Sequence, residues 1–440
     1  MAKRTYLRDI LSFLGSNLTV TICNLAVGII LVRLLGAAGF GFYSAIIVVP
    51  IMVIGFTQLG IRRSAIYHIG QKILPEDHIV SALFLLLLYT STLSILICGF
   101  VFFFSESQPF DPLIIVMVLL TIPLLLTNVF AGGVFLGKED IRRASIINAG
   151  PTIITLLLTI LFVWVLKMSV LGAFIAIALA NLIMFFITYR IVIFQFGYNI
   201  TWKYHEGIMK SMIKLGLVNA IAIFIMQLNF RLDILMLKKL STLEEVGFYS
   251  LAIQIAEQLW HIPYAIETVI LSRSANTNPA ENQQVHHTVA SIFRVSLLVG
   301  LLGGLFIFFI APYLIPIVFG EAFIHSVPMI QLVLPGVLIL VGFRILNSRL
   351  TGMGKPQIAI YTFLPALVIN FILNLFLIPR YGGIGAAWST NISYAAGSII
   401  FIVVYSRLVK MPVREIFRYR KGDFYFLRDV KKRVKTLFHG

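Results

Sequence analysis

The sequence predicts an all-α integral membrane protein of about twelve transmembrane helices, built as two six-helix lobes related by a parallel pseudo-two-fold repeat. Three observations carry this expectation: the composition, a succession of long apolar runs, and a set of short motifs that recurs in the second half. Of 440 residues, 59% are hydrophobic and 12% charged, against roughly 45–50% and about 25% in ordinary soluble domains. A soluble fold has too little interior for so much apolar surface, whereas about 20 consecutive apolar residues match the hydrocarbon thickness of a bilayer.

Hydropathy sets the helices near 10–35, 41–61, 79–104, 112–136, 145–166 and 169–193, then 211–237, 246–271, 288–312, 327–349, 356–378 and 383–408. The first run, from about Ile10 to Leu35, follows MAKRTYLRD. It is too long for a signal-peptide core and lacks a small-x-small cleavage site, so it reads as a retained helix. Cys23 and Cys98 both lie inside apolar runs, where a free thiol behaves as a small hydrophobe. Two such residues build no disulfide or cysteine–metal framework.

A net charge of +17 would suggest nucleic acid in a soluble protein, but here its distribution makes it an orientation signal. With the amino terminus inside, the other face carries five basic residues, Arg33, Lys167, Lys238, Lys239 and Arg380. The inner segments carry Lys3, Arg4 and Arg8, then Arg62, Arg63 and Lys72, then Lys138, Arg142 and Arg143. Arg190, Lys203, Lys210, Lys214, Arg273, Arg294, Arg349 and Lys355 follow, and the tail from Arg407 adds eleven more. This obeys the positive-inside rule and sets both termini in the cytoplasm. The basic, aromatic tail reads either as a solvated orientation signal or as a segment against anionic lipid.

The repeat begins with Gly41-Phe42-Tyr43-Ser44 and returns as Gly247-Phe248-Tyr249-Ser250. Arg63-Ser64-Ala65 recurs as Arg273-Ser274-Ala275, Gly137-Lys138 as Gly354-Lys355, and Leu171-Gly172-Ala173 as Ile384-Gly385-Ala386. The halves are therefore 1–193 and 211–408, joined by a cytoplasmic linker over 194–210 and followed by the tail 409–440. Six crossings per half make the repeat parallel, an architecture in which transporters hold substrate near the midplane and expose it alternately.

Charges inside spans cost about 2.5–3.5 kcal/mol each on insertion scales and are functional candidates by default. Every acidic residue of the first half lies in a terminus or loop, whereas the second half carries Arg231 and Asp233 in helix 7, Glu257 and Glu267 in helix 8, and Arg344 in helix 10. Residues four apart share a helix face, which aligns Gln227 with Arg231 and Asn229 with Asp233. Gln254, Glu257, Gln258 and His261 form one stripe of helix 8, and Pro263 should bend that helix. One reading is a polar cavity whose arginines grip an anionic head group, since guanidinium matches phosphate oxygens. The other is that Arg231 and Arg344 pair with Asp233, Glu257 or Glu267 to hold helices together. Amides at Asn17, Asn24, Gln58, Asn128, Asn148, Asn181, Asn370, Asn374 and Asn391 read as helix-to-helix hydrogen bonds worth about 0.6 kcal/mol each, some of them along a sugar path.

The motifs of enzymes are missing. Gly352-Met353-Gly354-Lys355-Pro356 lacks the spacing and hydroxyl of a P-loop, and Gly36-Ala37-Ala38-Gly39-Phe40-Gly41 sits between spans rather than in a strand-turn-helix context. No H-E-x-x-H or G-x-S-x-G occurs.

Arg33-Leu34-Leu35-Gly36 followed by Gly41-Phe42-Tyr43 resembles the end of helix 1 in polysaccharide exporters of the Wzx type, the flippases of O-antigen repeat units. Three further stretches match that family in order and spacing across about Leu11 to Leu408. Arg231-Leu232-Asp233 precedes Val246-Gly247-Phe248-Tyr249, and Gly320-Glu321-Ala322-Phe323 precedes a proline-bearing helix. Gly354-Lys355-Pro356 leads to Asn370, Asn374, Leu377-Ile378-Pro379 and Gly382-Gly383-Ile384-Gly385-Ala386. The resemblance implies the multidrug, oligosaccharidyl-lipid and polysaccharide exporter superfamily: two six-helix lobes that flip a polyprenyl-pyrophosphate-linked glycan to the outer leaflet of a bacterial or archaeal cytoplasmic membrane.

On this reading Arg231, Arg344, Arg33, Gln227, Gln254 and Gln258 bind substrate, and Asp233, Glu257 and His261 serve a coupling H+ or Na+. No cofactor, metal or nucleic acid is called for; the partners are the lipid-linked glycan, membrane lipids and the polymerase and export machinery. The alternatives are a multidrug antiporter, which the absence of acids from helix 1 disfavours, a non-transporting scaffold, and a membrane glycan ligase using Glu321 or His325.

Overall fold

A computed structural model describes residues 2–71, 75–104, 111–198, 200–201, 206–261, 263–264, 266–267, 270, 274, 282–420 and 423. The sequence expectations for Lys72, Lys203, Arg273, Ala275 and most of the tail beyond Arg420 fall outside those residues. The protein is an all-α membrane protein. Among the described residues nine helical stretches are long and apolar enough to cross a bilayer. Their outer faces are apolar too: Phe103 is 83% and Tyr313 72% exposed, which suits lipid and would be costly in water.

The helices are α1 (Ala2–Thr57), α2 (Ile61–Gln71), α3 (Glu76–Phe103), α4 (Pro112–Gly137), α5 (Ile141–Thr159), α6 (Ser169–Arg190) and α7 (Glu206–Leu240). Then follow α8 (Leu243–Ala256), α9 (Asn282–Phe319), α10 (Ser326–Gly352), α11 (Gln357–Val409) and the short α12 (Val413–Phe417). π-Helical turns extend α5 over Ile160–Val165 and α6 over Ile191–Gln195.

Two expected loops are absent as loops. The first two predicted helices form the single α1, broken only at Gly36 (φ 68°, ψ −177°), and the last two form α11, broken at Gly382 (φ 55°, ψ −133°). Positive φ at one residue redirects the chain without unpaired turns, and glycine accepts it because it has no Cβ. Elsewhere the breaks have side-chain causes. Asp111 caps α4 by accepting from Leu113 N (2.9 Å), with Pro112 at its first position. Asp140 caps α5 through Arg143 N (3.0 Å), and Thr242 caps α8 through Glu245 N (3.3 Å); each satisfies an orphan amide of a first turn. Inside α10, Asn391 of α11 accepts from Gly336 N (2.8 Å) and donates to Leu332 O. Its amide thus occupies the ladder step just after Pro335, a recognised cause of helix bending.

The chain divides into two compact units, residues 1–227 and 228–440. In the first, α1 packs on α5, α2 and α6 on α4, and α3 on α4. Amides tie these helices as expected: Asn148 Nδ2 donates to Asn17 Oδ1 (2.8 Å) and Thr188 donates to Asn128 (3.0 Å). At the loop end, Lys138 Nζ donates to Glu76 (2.7 Å) and Tyr198 Oη (2.9 Å), and Tyr198 donates to Glu76 (2.6 Å). Burial together with the Glu76 hydrogen bond pushes the Tyr198 phenol up to about 12, so it stays a donor at all physiological pH.

In the second unit α10 packs on α8, α9 and α11. Two arginines counted from sequence toward the cytoplasmic charge are built into it. Arg349 is 0% exposed and Arg294 4%. Arg294 makes paired hydrogen bonds to Asp423 (2.7 and 2.5 Å) and donates to the carbonyls of Glu415 and Ile416 (3.2 and 3.0 Å). The start of the tail is therefore anchored on α9 through Arg294, because a desolvated guanidinium needs a carboxylate and carbonyls to satisfy its donors.

Candidate functional site

Arg231 and Asp233 lie two residues apart on α7, which at 3.6 residues per turn turns them to nearly opposite sides. On one side, Arg231 Nη2 donates to Glu257 Oε2 at 2.9 Å, the two side chains being 24% and 18% exposed. The pair is half used, because Arg231 Nε and Glu257 Oε1 are both buried without a hydrogen-bond partner. Glu257 opens a 3₁₀ turn, Glu257–Trp260, that follows α8. The predicted stripe of helix 8 is thus interrupted at the residue that carries its charge.

That turn links two ion pairs. Trp260 donates to the Val337 carbonyl (3.3 Å), packs at a tilt of 44° against Phe230 with centroids 5.0 Å apart, and lies 5.4 Å from the Arg344 guanidinium. Arg344 also lies 5.8 Å from the Tyr264 ring, and pairs with Glu267 at 3.3 Å. Gln258 spends its amide on the Gln254 carbonyl (2.9 Å), while His261 is exposed. The structure therefore brings Arg231, Glu257, Arg344 and Glu267 to one region with Trp260 among them, and both arginines meet acids, as the pairing alternative foresaw.

On the other side of α7, Asp233 is 0% exposed. Its carboxylate accepts from Tyr249 Oη (2.8 Å), Thr390 Oγ1 (2.7 Å) and Asn374 Nδ2 (2.5 Å). Asn374 donates also to Asn370 (3.0 Å), and the Tyr249 and Thr390 hydroxyls are 2.8 Å apart. All of these partners are neutral, so Asp233 pairs with none of the arginines among the described residues. The oxygens Asn374 Oδ1 and Asn229 Oδ1 are buried and unpartnered. A carboxylate buried without a cationic partner is costly and a functional candidate by default.

In the first unit, Arg33 is exposed three residues before the Gly36 break. Gln227 is half-buried, its Cγ near Gly55. A cavity of 330 Å³ opens among α1, α2, α4, α5 and α6, lined by amides, Tyr43 and Arg62.

Sequence reasoning missed the partners of Asp233. Asn370 and Asn374 enter the sequence reading as interhelical amides and as part of the family resemblance, with no link to Asp233, although their i, i+4 spacing puts both on one face of α11. Tyr249 enters as part of the repeat and of the resemblance, and Thr390 carries no signal. Arg62 was counted for topology alone.

The comparisons fit this architecture. The chain is similar over 95% of its length to the lipid II flippase MurJ in an inward closed conformation (13% identity, 95% of that chain, TM-score 0.71). It is also similar to an inward-facing multidrug resistance MATE family transporter (15% identity, 89% and 94% covered, TM-score 0.70). A third is a transporter of the same superfamily from Pyrococcus furiosus, with a binding pocket described as of reverse polarity (15%, 94% and 96%, TM-score 0.65). At these identities the likeness concerns the fold. In sequence it is 24% identical over 182 residues to the "Probable low-salt glycan biosynthesis flippase" of Haloferax volcanii, spanning 41% of this chain and 38% of that protein. It is 31% identical over 110 residues to an uncharacterized membrane protein of Methanocaldococcus jannaschii, spanning 24% and 21%. The chain thus spans well under half the length of either relative. A family model described as "Polysaccharide biosynthesis protein" matches residues 30–328, and the chain belongs to that family of polytopic membrane proteins.

Proposed function

We propose that this protein translocates a polyprenyl-pyrophosphate-linked oligosaccharide from the inner to the outer leaflet of a prokaryotic cytoplasmic membrane, with both termini inside, by alternating access and without covalent chemistry. The observation that carries the reading is the half-used pair of Arg231 and Glu257, with Arg344 and Glu267 beside it. Each arginine sits at membrane depth with an acid that a better anion can displace. A pyrophosphate offers more charge and more acceptors than one carboxylate and matches the guanidinium fork. Displacing Glu257 leaves a carboxylate that must gain a proton or cation or turn to water, so loading the substrate changes which conformation is favoured. Asp233, in its ring of neutral donors, is the coupling-ion site of this scheme, and Arg33, Gln227, Gln254 and Gln258 serve the glycan rather than the phosphates. The glycan would feed the export and polymerisation machinery of a surface polysaccharide such as O-antigen.

The test is protein-dependent flipping of a fluorescent polyprenyl-pyrophosphate oligosaccharide in liposomes, comparing wild type with Arg231→Ala and Arg344→Ala. Loss of flipping in mutants that still fold supports the head-group role. Flipping retained in both reduces the arginines to structural partners, and none by wild type across a series of carrier sugars removes the substrate class.

A further inference from the structure

The chain that follows α11 is fixed on one side and charged on the other. At 1.5 Å per residue, the arm of α11 from the Gly382 break to Val409 is about 40 Å long, enough to cross the hydrocarbon and end at headgroup level. There Lys410, at φ 53°, stops the helix. Met411 then turns back onto it: its N–H donates to Ser406 O (3.1 Å) and its carbonyl accepts from Ser406 Oγ (2.6 Å). The short α12 packs on α9 with Met411 and Ile416 buried. Besides the Arg294 bonds to Glu415, Ile416 and Asp423, Tyr419 Oη donates to Arg294 O (3.2 Å), and Phe417 meets Phe293 edge-on with centroids 5.2 Å apart.

The outer side of this strap has a different composition. Arg407, Lys410, Arg414 and Arg418 are exposed, and so are Val413, Phe417 and Tyr419. The strap's acids among the described residues are already engaged, Glu415 with Arg420 (2.5 Å) and Asp423 with Arg294 (2.5 Å). The four exposed cations therefore have no counterion within the strap. Bulk water suits those charges but not the apolar and aromatic side chains between them. A headgroup layer suits both: phosphates meet the cations, and aromatic rings favour the membrane–water boundary. A position at the end of a membrane span favours the membrane's own anions over a soluble partner.

We infer that residues 407–420 are a docking surface for anionic phospholipid, with Arg407, Lys410, Arg414 and Arg418 on the headgroup phosphates and Val413, Phe417 and Tyr419 seated in the interface. The Arg294 anchor serves this role because a fixed strap presents its charges without the ordering cost that a loose segment carries on binding. The inference goes beyond the transport reading and does not depend on it.

The test titrates the purified full-length protein in detergent with phosphatidylglycerol, phosphatidylcholine or glycerol phosphate, reading the unfolding midpoint and, by native mass spectrometry, the lipid retained. Phosphatidylglycerol should act at a concentration at least about tenfold below phosphatidylcholine, the gap should narrow in high salt, and glycerol phosphate alone should do nothing. Arg414→Gln with Arg418→Gln should lower the preference for phosphatidylglycerol by at least about tenfold. Both side chains are exposed, so the lipid-free midpoint should not move. Lys167→Gln with Arg380→Gln removes the same charge from two exposed residues elsewhere and should keep the preference. Equal action of the two lipids on wild type, protection by glycerol phosphate, a preference that survives in the strap variant, or equal losses in the two double variants overturns the proposal.

Discussion

Replacing Asp233 separates its charge from its hydrogen bonds. In Asp233→Ala the Tyr249 and Thr390 hydroxyls, 2.8 Å apart, can still satisfy one donor between them. One hydroxyl donor and one Asn374 N–H are then stranded in a site where Asp233 is 0% exposed. Two stranded donors at about 1–3 kcal/mol each give a loss of about 2–6 kcal/mol. Asp233→Asn behaves differently. Its amide oxygen can keep Tyr249 and Thr390, while its new NH2 faces Asn374. Asn374 Oδ1 and Asn370 Nδ2 are both buried and unpartnered, so rotating both amides by half a turn restores each hydrogen bond with reversed polarity. No buried charge remains to be solvated, and the variant should lie within about 1 kcal/mol of wild type or above it. Thermal unfolding in detergent and flipping under imposed Na+ or pH gradients check this together. Asp233→Asn should unfold like wild type yet flip without responding to either gradient, and Asp233→Ala should unfold earlier. An Asp233→Asn protein as unstable as the alanine variant refutes the reversible network. One that keeps full gradient dependence refutes the coupling role.

Three further outcomes are expected. In a double-mutant cycle, Arg231→Gln and Glu257→Gln should each cost about 1–3 kcal/mol, and the double mutant should cost less than their sum; strict additivity would mean the 2.9 Å pair carries no coupling. Gly382→Ala must adopt a φ of +55° with its Cβ 2.6 Å from Glu245 Oε2, the oxygen that accepts from Gly383 N. Gly36→Ala at φ +68° meets nothing within 4 Å. Positive φ with a strongly negative, near-extended ψ is a glycine-only backbone that costs an alanine about 1–3 kcal/mol at both positions, so the midpoint should fall further in Gly382→Ala, and equal falls would remove the Glu245 contact from the account. The third concerns the docked tail. Burial raises and the Arg294 hydrogen bonds lower the pKa of Asp423, with a net shift below the ordinary carboxylate range. A depressed carboxylate stabilises above its unfolded pKa, about 3.9, and loses that contribution as pH falls through its folded value. Docking should therefore persist from pH 8 to 5 and fail only in stronger acid, whereas Asp423→Asn should expose the tail to trypsin at neutral pH.

The class of this protein was legible in its sequence because lipid imposes a one-dimensional rule. Each span must be apolar for about 20 residues and hydrogen-bonded within itself, and both requirements appear along the chain without knowledge of any contact. Arg231, Asp233, Glu257 and Arg344 were visible for the same reason, as charges where none is cheap. Their partners were not. Whether Arg231 meets Glu257 depends on where α8 ends and a 3₁₀ turn begins. Asp233 finds Asn374 and Thr390 more than 140 residues away, a pairing that only the approach of α11 to α7 decides. The same holds for Arg294 and Arg349, which a topology count takes as inner-side charges and whose burial only the tertiary structure decides. Hydropathy reads each residue against the solvent; partnership is a property of two helices at once, and only the fold supplies the second.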